Sequence, residues 1–526
     1  MPYRRRTFLR AVSVATTAVG LIAAGLSPLS AQTASEGEAL VVAVQALPTN
    51  LEPIAQWSNA AARIYYSVFD TLLEHDLDTY ELRPGLAEQW SRIDDKTLEF
   101  TLRQNIRFHN GDLFDAEDVA FTFGKERMFD PASPGYGRAQ ALFGGIESVE
   151  VIDPYKVRIK SKVPDPILEH RFAGLMSQII SKEAYQSASD FDTWARSAIG
   201  SGPYKIDEIK HGEHIRLTAF DDHWRGQPPL ESVTFKLIPE ATTRIAGLLS
   251  GEFHIITDVP ADQLGRLDST DGVSVTGGPI NNIRIVVYDE GNGVLADPDL
   301  RLALNYAIDR ELIVESLFGG RTAVPPGEQF PFFNDMFIED WDKPEFNPDK
   351  AREALKRSSY RGEEIRYRMV EDYYPFEVAT AEVMQQMWRD VGINVKVEVV
   401  GSWDDVQNEE TRQIYNLSST MYHPDPLGHL WRLWGEQGIL QSSWGRFSND
   451  EFNDLGRRLE SSTDLQERRK LFRRMLEIVR YEDPPSGVLH YLPAFYGRQD
   501  KVRWEARPVL FMSFRPGDIE ISSETE

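Results

Sequence analysis

Asp94-Asp-Lys-Thr-Leu-Glu-Phe-Thr-Leu-Arg103, then Ile106-Arg-Phe-His-Asn-Gly111, then Asp115-Ala-Glu-Asp-Val119 place a strand and a helix start in close succession. Thr97 to Leu102 alternates with period two, the pattern of a strand with one buried face. Asp115-Ala-Glu-Asp118 opens a helix whose acidic first turn suits the positive end of the helix dipole. Trp90, Phe100, Leu102 and Phe108 are expected to share a core, because large apolar residues at alternating positions face inward.

The same alternation of strand and helix extends outward in both directions, without an internal repeat. Upstream, Ala39 to Val44 is a β-rich apolar run ended by Pro48, and Ala60 to Leu73 has helical spacing. Val149 to Ile152 and Lys156 to Ile159 alternate with period two, and Gly202-Pro203-Tyr204 is a turn entering a strand. Ile283-Arg-Ile-Val-Val-Tyr288 is a strong strand. Asp297-Pro298 then supplies an N-cap and an N1 proline for a helix over 299–308. Asn347-Pro348-Asp349 repeats that device before Lys350 to Leu355. Phe376 to Asp390 is helical, Gly392 stops it, and Ile393 to Val399 is a strand. A last long helix, Asp464 to Arg480, ends before Asp483-Pro-Pro485. Strands alternating with helices over this length predict α/β layers in several lobes.

Composition sets the outer limits. The chain has 526 residues, 41% hydrophobic, which excludes a disordered or collagen-like protein. Asp+Glu 82 against Lys+Arg 57 gives a formal charge of −25, which repels nucleic acid and anionic lipid as bulk partners. With no Cys, thiolate metal sites, cysteine nucleophiles and a lipid-modified N-terminal cysteine are all excluded.

The N-terminus reads as an address. Arg4-Arg5-Arg6-Thr7-Phe8-Leu9-Arg10 precedes an apolar run to Leu29 and a small-residue end at Ser30-Ala31, and no acid occurs before Glu36. This is an export signal, Tat-like in its twin arginines, over 1–31 with cleavage near Ala31. An uncleaved anchor is the alternative. The expected mature protein is periplasmic and not lipid-anchored.

Catalytic motifs fail on context. There is no G-x-S-x-G elbow, no phosphate-binding P-loop and no H-E-x-x-H zinc helix. Gly291-Asn-Gly293 mimics a dinucleotide fingerprint, but Asp289 and Glu290 would repel a pyrophosphate. Asp76-Leu-Asp78 lacks the glycine and distal glutamate of a calcium loop. His211-Gly-Glu-His214 reads as a solvated turn. No catalytic residue, metal site or cofactor is assigned. The acids leave one rival class, a secreted glycoside hydrolase working through two carboxylates.

Pro84-Gly-Leu-Ala-Glu-Gln-Trp90 and the opening blocks resemble the signature of family 5 solute-binding proteins, the dipeptide, oligopeptide, nickel and opine receptors of ABC importers. The resemblance continues at Gly200-Ser-Gly-Pro-Tyr204, Asp222-His-Trp-Arg-Gly226, Leu300-Arg-Leu-Ala-Leu-Asn-Tyr-Ala-Ile-Asp-Arg310, Asn347-Pro348 and Val391-Gly-Ile-Asn-Val395. It implies a two-lobe α/β periplasmic binding protein with an extra N-terminal subdomain and a hinge between lobes. It divides the chain into lobe I (38–80, 200–285 and 488–526), the subdomain (81–199) and lobe II (286–487). It also implies a small-molecule ligand and a membrane permease as partners, with the receptor itself monomeric. Arg310, after Ile308-Asp309, is expected in a surface or inter-element ion pair.

The ligand pocket departs from the peptide receptors of that family. There an aspartate in D-x-x-[DE]-P holds the peptide ammonium; here the segment is Ser418-Ser-Thr-Met-Tyr-His-Pro-Asp425-Pro426, with Tyr422 at that position. A tyrosine lacks the full charge a buried ammonium requires. Ser418, Ser419, Tyr422 and His423 instead offer hydroxyls and an imidazole, suited to sugar hydroxyls or phosphate. The branch is similar to receptors for opines of the agrocinopine type. Asp425 in the same loop is a further candidate ligand-binding residue. Trp57 and Asn59, after the first strand, and Trp444 are candidates for lining the cleft, Trp57 equally for the core. Gly144-Gly145 is either an anion nest or a plain turn. Asn281 and Asn282 either bond ligand or cap a strand. His423 is equally readable as a core histidine, and with His429 it leaves open a nickel-chelate receptor, besides an oligopeptide one.

Overall fold

The computed structural model describes residues 38–56, 58–371, 373–444 and 446–522. The expected export signal at 1–31 and Trp57 lie outside them. Among the described residues no helix is long and apolar enough to cross a membrane.

A ten-stranded mixed sheet organises the chain. One half centres on Ala39–Val44, which pairs in parallel with Ser232–Leu237 and Ile255–Ile256. The hairpin Tyr204–Lys210 and His214–Ala219 extends that half to its edge. The other half centres on Ile365–Val370, parallel to Val395–Val400 and Ile414–Thr420. Two long antiparallel strands, Val273–Tyr288 and Ser486–Gln499, lie between the halves and join them. The result is a two-lobe α/β architecture. A separate four-stranded antiparallel sheet, Ala87–Asp94, Thr97–Leu102, Lys156–Ser161 and Ile146–Asp153, has its own core.

Local chemistry explains most boundaries. Asp115 caps Ala116–Thr122 in a reciprocal box with Asp118, so the backbone N–H groups of both residues are satisfied locally. Asp297 and Asn347 cap Pro298–Tyr306 and Pro348–Arg357, each with proline in the first turn. Gly392 ends Glu377–Val391 in the left-handed region at φ 98°, where a side chain would be strained. Phe100, Leu102 and Phe108 are buried in the core of the small sheet, with Trp90 packed against it.

Three elements differ from the sequence reading. The helix expected over Ala60–Leu73 stops at Val68 and the chain becomes the strand Leu73–His75. Buried Asp70 pairs with Arg515 at 2.9 Å and accepts from Ser201 and Trp224, so tertiary bonds hold this segment extended. The strand expected at Ile283 begins at Val273, its first half hidden by Gly277, Gly278 and Pro279. Pro279 stands opposite Pro493, so this rung of the ladder has no N–H donor on either strand. The second long strand, Ser486–Gln499, carries no alternation because nearly every residue in it is buried.

The small sheet is fastened to the first strand's half by a buried ion pair. Glu52 and Arg127 are 0% and 1% exposed, with Oε1 accepting from Nη2 at 2.8 Å and from Nε at 3.1 Å. The other oxygen accepts from the backbone N–H groups of Ile54 and Ala55, both at 2.8 Å. Glu52→Ala would leave the Arg127 charge buried and unpaired, and is expected to cost about 3–5 kcal/mol. Urea unfolding followed by tryptophan fluorescence checks this; a loss below about 1 kcal/mol would mean that Arg127 finds another partner.

Candidate functional site

The site is built where the two long strands change halves. Asn282 and Arg284 stand opposite Thr420 and Ser418 in the antiparallel register, so these four side chains share one face. Asn282 Nδ2 donates to Thr420 Oγ1 at 2.8 Å and to Ser418 Oγ at 3.3 Å, while its Oδ1 is buried without a partner. The Arg284 guanidinium lies 3.4 Å from the ring centroid of Tyr374 and donates to the carbonyl of Leu417 at 2.8 Å. Tyr374 is buried in the hydrophobic cluster that contains Ala39–Val44 side chains, although Tyr374 itself leads into the helix Glu377–Val391 of the other half. Trp403 packs against the clusters of both halves, and Tyr373 meets it edge-on at 4.9 Å. The halves therefore touch at this point.

Alternation separates the two serines of the sequence reading. Ser418 faces Asn282, but Ser419 stands opposite Ile283 on the other face, fully buried, with its hydroxyl unpartnered. His429 also lies inward, edge-on to Phe330 at 4.8 Å and 3.5 Å from Glu328. It belongs to the interior of its half.

The segment Tyr422–Gly428 closes on itself: Tyr422 N–H donates to the Gly428 carbonyl at 3.0 Å and Asp425 N–H to that of His423 at 2.7 Å. A Cβ at Gly428 would sit 2.5 Å from the His423 nitrogen, so the tightness requires glycine. Asp425 is occupied by structure, capping the turn through Leu427 N–H and pairing with Arg468 at 2.8 Å. Arg432 stacks on Tyr422 at 4.0 Å and donates to the carbonyls of Thr420 and Gly428. Among the described residues, neither Arg284 nor Arg432 has a carboxylate in ion-pair range. Burial lowers the Arg432 pKa, as expected of a cation with no counter-charge.

Behind Tyr422 is a small cavity of about 50 Å³ shared with His75, Tyr80, Asn281, Phe511 and Arg515. Its charges are already matched, Arg515 pairing with Asp70 at 2.9 Å and with Glu74 at 3.3 Å. Asn281 donates to the Tyr80 hydroxyl. His75 Nε2 and His170 Nδ1 are 2.9 Å apart, and buried His423 has neither ring nitrogen partnered. Burial pushes the pKa of all three down, and the charges of Arg171 and Arg432 push His423 the same way.

Other expected site residues stand elsewhere. Asn59 is exposed in the first turn of Asn59–Val68, where Ser58 is the cap. Gly144 ends the helix Tyr136–Phe143 with its N–H donated to Gln140, and its carbonyl accepts from Lys162; this corrects the anion-nest reading of Gly144-Gly145, because that N–H already has an acceptor. Trp444 packs against the interior cluster of its half, its carbonyl accepting from Tyr415. Arg284, Tyr374, Trp403 and Arg432 were missed. Arg284 had a signal, a lone charge inside the apolar run Ile283 to Tyr288; the others acquire significance only in three dimensions.

The model of the bacterial extracellular solute-binding proteins, family 5, matches residues 81–441. The chain belongs to that family. It is a solute-binding receptor of the ABC-importer class. The family 5 receptor is 26% identical over 456 residues to heme-binding protein A of Haemophilus influenzae, covering 80% of this chain and 81% of that one. It shares its fold with the dipeptide-binding protein of Pseudoalteromonas sp. SM9913 in complex with Met-Leu, at TM-score 0.81 and 22% identity over 92% and 100% of the two chains. It shares it also with the binding protein AgaA of A. tumefaciens R10 in complex with agropinic acid, at TM-score 0.78 and 21% identity over 93% and 99%.

The buried histidines predict a pH effect of defined sign. The folded-state pKa of His423 lies well below its ordinary 6.5, so the unfolded chain binds the proton first and stability is lost as pH falls below about 6.5. His423→Leu removes that dependence. The stability of His423→Leu relative to the parent is expected to rise between pH 7 and pH 5 by up to about 1.4 kcal/mol per pH unit. Parallel denaturation curves at the two pH values would show that His423 is already charged when folded.

Proposed function

We propose that the receptor captures a small polar solute bearing a carboxylate or phosphate, of the opine or sugar-phosphate class, between its lobes and delivers it to a membrane permease. The observation that carries this is the pair of guanidinium groups that meet no carboxylate among the described residues, Arg432 on Tyr422 and Arg284 on Tyr374, flanking the Asn282, Ser418 and Thr420 side chains. A peptide ammonium arriving at Tyr422 would meet a cation where the peptide receptors offer an aspartate. It would keep its desolvation penalty and gain no ion pair. An anion gains two charge-assisted donors there, and sugar hydroxyls gain the amide and hydroxyl row beside them.

The fold accommodates proteins whose complexes contain Met-Leu and agropinic acid alike, so the loop chemistry and not the architecture selects between such ligands. In this reading lobe I comprises 38–80, 200–285 and 488–526, the subdomain 81–199 and lobe II 286–487. The chain is exported by the signal at 1–31, works in the periplasm as a monomer without a lipid anchor, and returns its ligand chemically unchanged.

Native mass spectrometry of the purified protein, followed by calorimetry with agropinic acid and with Met-Leu, tests the assignment. The anionic probe is expected to bind and the dipeptide to bind poorly. Arg432→Met and Tyr422→Asp are each expected to weaken the anion by about 1–3 kcal/mol, the second because it places like charges together. Micromolar binding of Met-Leu, or indifference of the anion to both substitutions, would overturn the ligand class. Turnover of a glycoside would overturn the receptor reading itself.

A further inference from the structure

A second and much larger cavity, of about 500 Å³, lies away from the Asn282 face. It is walled by Leu302 and Tyr306 of the helix Pro298–Tyr306, by Trp341, by Val479 after the helix Leu465–Glu477, and by Val488 of the second long strand. Such a volume with mostly apolar walls is in the range that holds a small organic molecule. Two charged side chains reach it from the interior, Arg310 and Glu328.

Arg310 overturns its sequence reading. The expectation is a surface or inter-element ion pair; the side chain is 3% exposed and has no carboxylate in ion-pair range among the described residues. Nε donates to the carbonyl of Val488, and Nη1 donates to the carbonyls of Asn305 and Ile308 at 3.1 and 2.9 Å. Nη2 has no hydrogen-bond acceptor among the described residues. The guanidinium is thus held rigidly by three carbonyls with one nitrogen left over. Burial, reinforced by the like charge of Arg480, pushes its pKa down to about 10.

Glu328 does not balance that charge. It is 4% exposed, Oε1 accepts from Ser486 at 3.3 Å, and Oε2 lies 3.5 Å from His429 Nε2. Burial pushes its pKa up to about 7, so much of it is neutral at neutral pH. The rim is self-contained: Lys343 pairs with Glu311 at 2.7 Å and Glu345 with Lys350 at 2.6 Å, while Asp342 is exposed to water. Arg480 bonds the carbonyls of Asp342 and Lys343, and its guanidinium lies over the Trp341 ring at 5.4 Å. A space with largely apolar walls and a fixed cation that meets no carboxylate among the described residues has the chemistry of an anion site with an apolar body.

We propose that this cavity is a second ligand site, which takes a small flat monocarboxylate, its carboxylate on Arg310 and its ring between Trp341, Tyr306 and the aliphatic wall. The site is separate from the cleft reading and stands or falls without it. Occupancy would be felt on the strand Ser486–Gln499, since Ser486 and Val488 line the cavity and His490 stands opposite Arg284.

Calorimetry and tryptophan fluorescence on the whole receptor with indole-3-acetate, and with its neutral amide indole-3-acetamide, test this. The acid is expected to bind at millimolar concentration or tighter and the amide about tenfold more weakly, the difference of one charge-assisted bond. Arg310→Gln is expected to weaken the acid by a similar factor. Leu302→Trp, which fills the space, is expected to abolish binding, and Arg432→Met in the cleft is expected to leave it unchanged. If Arg310→Gln does not fold, the acid–amide comparison and Leu302→Trp decide alone. No heat and no quenching up to 10 mM, equal binding of acid and amide, or binding that survives Leu302→Trp and disappears in Arg432→Met would each overturn the proposal.

Discussion

The antiparallel pairing of Val273–Tyr288 with Ser486–Gln499 is the constraint on which the rest depends. Each strand begins in one half of the sheet and ends in the other, so two α/β layers with separate hydrophobic clusters share one continuous ladder. Register within that ladder, set by the buried pattern of both strands, brings Asn282 and Arg284 to the junction and aligns Thr420 and Ser418 with them. A slip of one residue would send Arg284 into the interior and Ile283 into the cleft. The site is therefore a property of the pairing before it is a property of any one side chain.

The charges at the junction follow a single rule. Four buried carboxylates are matched by arginines, Glu52 with Arg127, Asp70 with Arg515, Asp289 with Arg412 and Asp425 with Arg468. Arg284 and Arg432 differ: among the described residues neither pairs with a carboxylate, and each stacks on a tyrosine. In a chain with a net charge of −25 an arginine has acids in abundance to pair with, yet these two are held by backbone carbonyls and tyrosine rings.

Much of this was legible in the residues. The caps at Asp115, Asp297 and Asn347 and the stop at Gly392 act locally, so they are readable one segment at a time. Tyr422 at the ammonium position was also readable, because it depends only on spacing to Asp425-Pro426. What escaped depends on partners far along the chain. Ser486–Gln499 is buried on both faces and shows no period; Asp70 leaves its helix to meet Arg515; Ser418 and Ser419 separate because a strand alternates, which requires knowing that the segment is a strand. Arg310 was misread for a related reason: an arginine beside an aspartate suggests an ion pair, yet Asp309 is used as the cap of Arg310–Phe318 and the guanidinium turns inward to carbonyls.

The facing prolines, Pro279 and Pro493, give the junction an unequal mechanical character. On either side the ladder resists shear through its hydrogen bonds; at this rung there is no amide hydrogen to stretch. The interruption extends beyond that rung, since the two strands are next in register only at Ile283 and Tyr491, so rotation of one half against the other can concentrate in this stretch without rupturing a ladder bond. The same rung is blank to amide exchange. Protection along the two strands is then divided into two blocks, each reporting the local opening of its own half, while the boundary amide of Asn281 reports its separate bond to the Pro508 carbonyl.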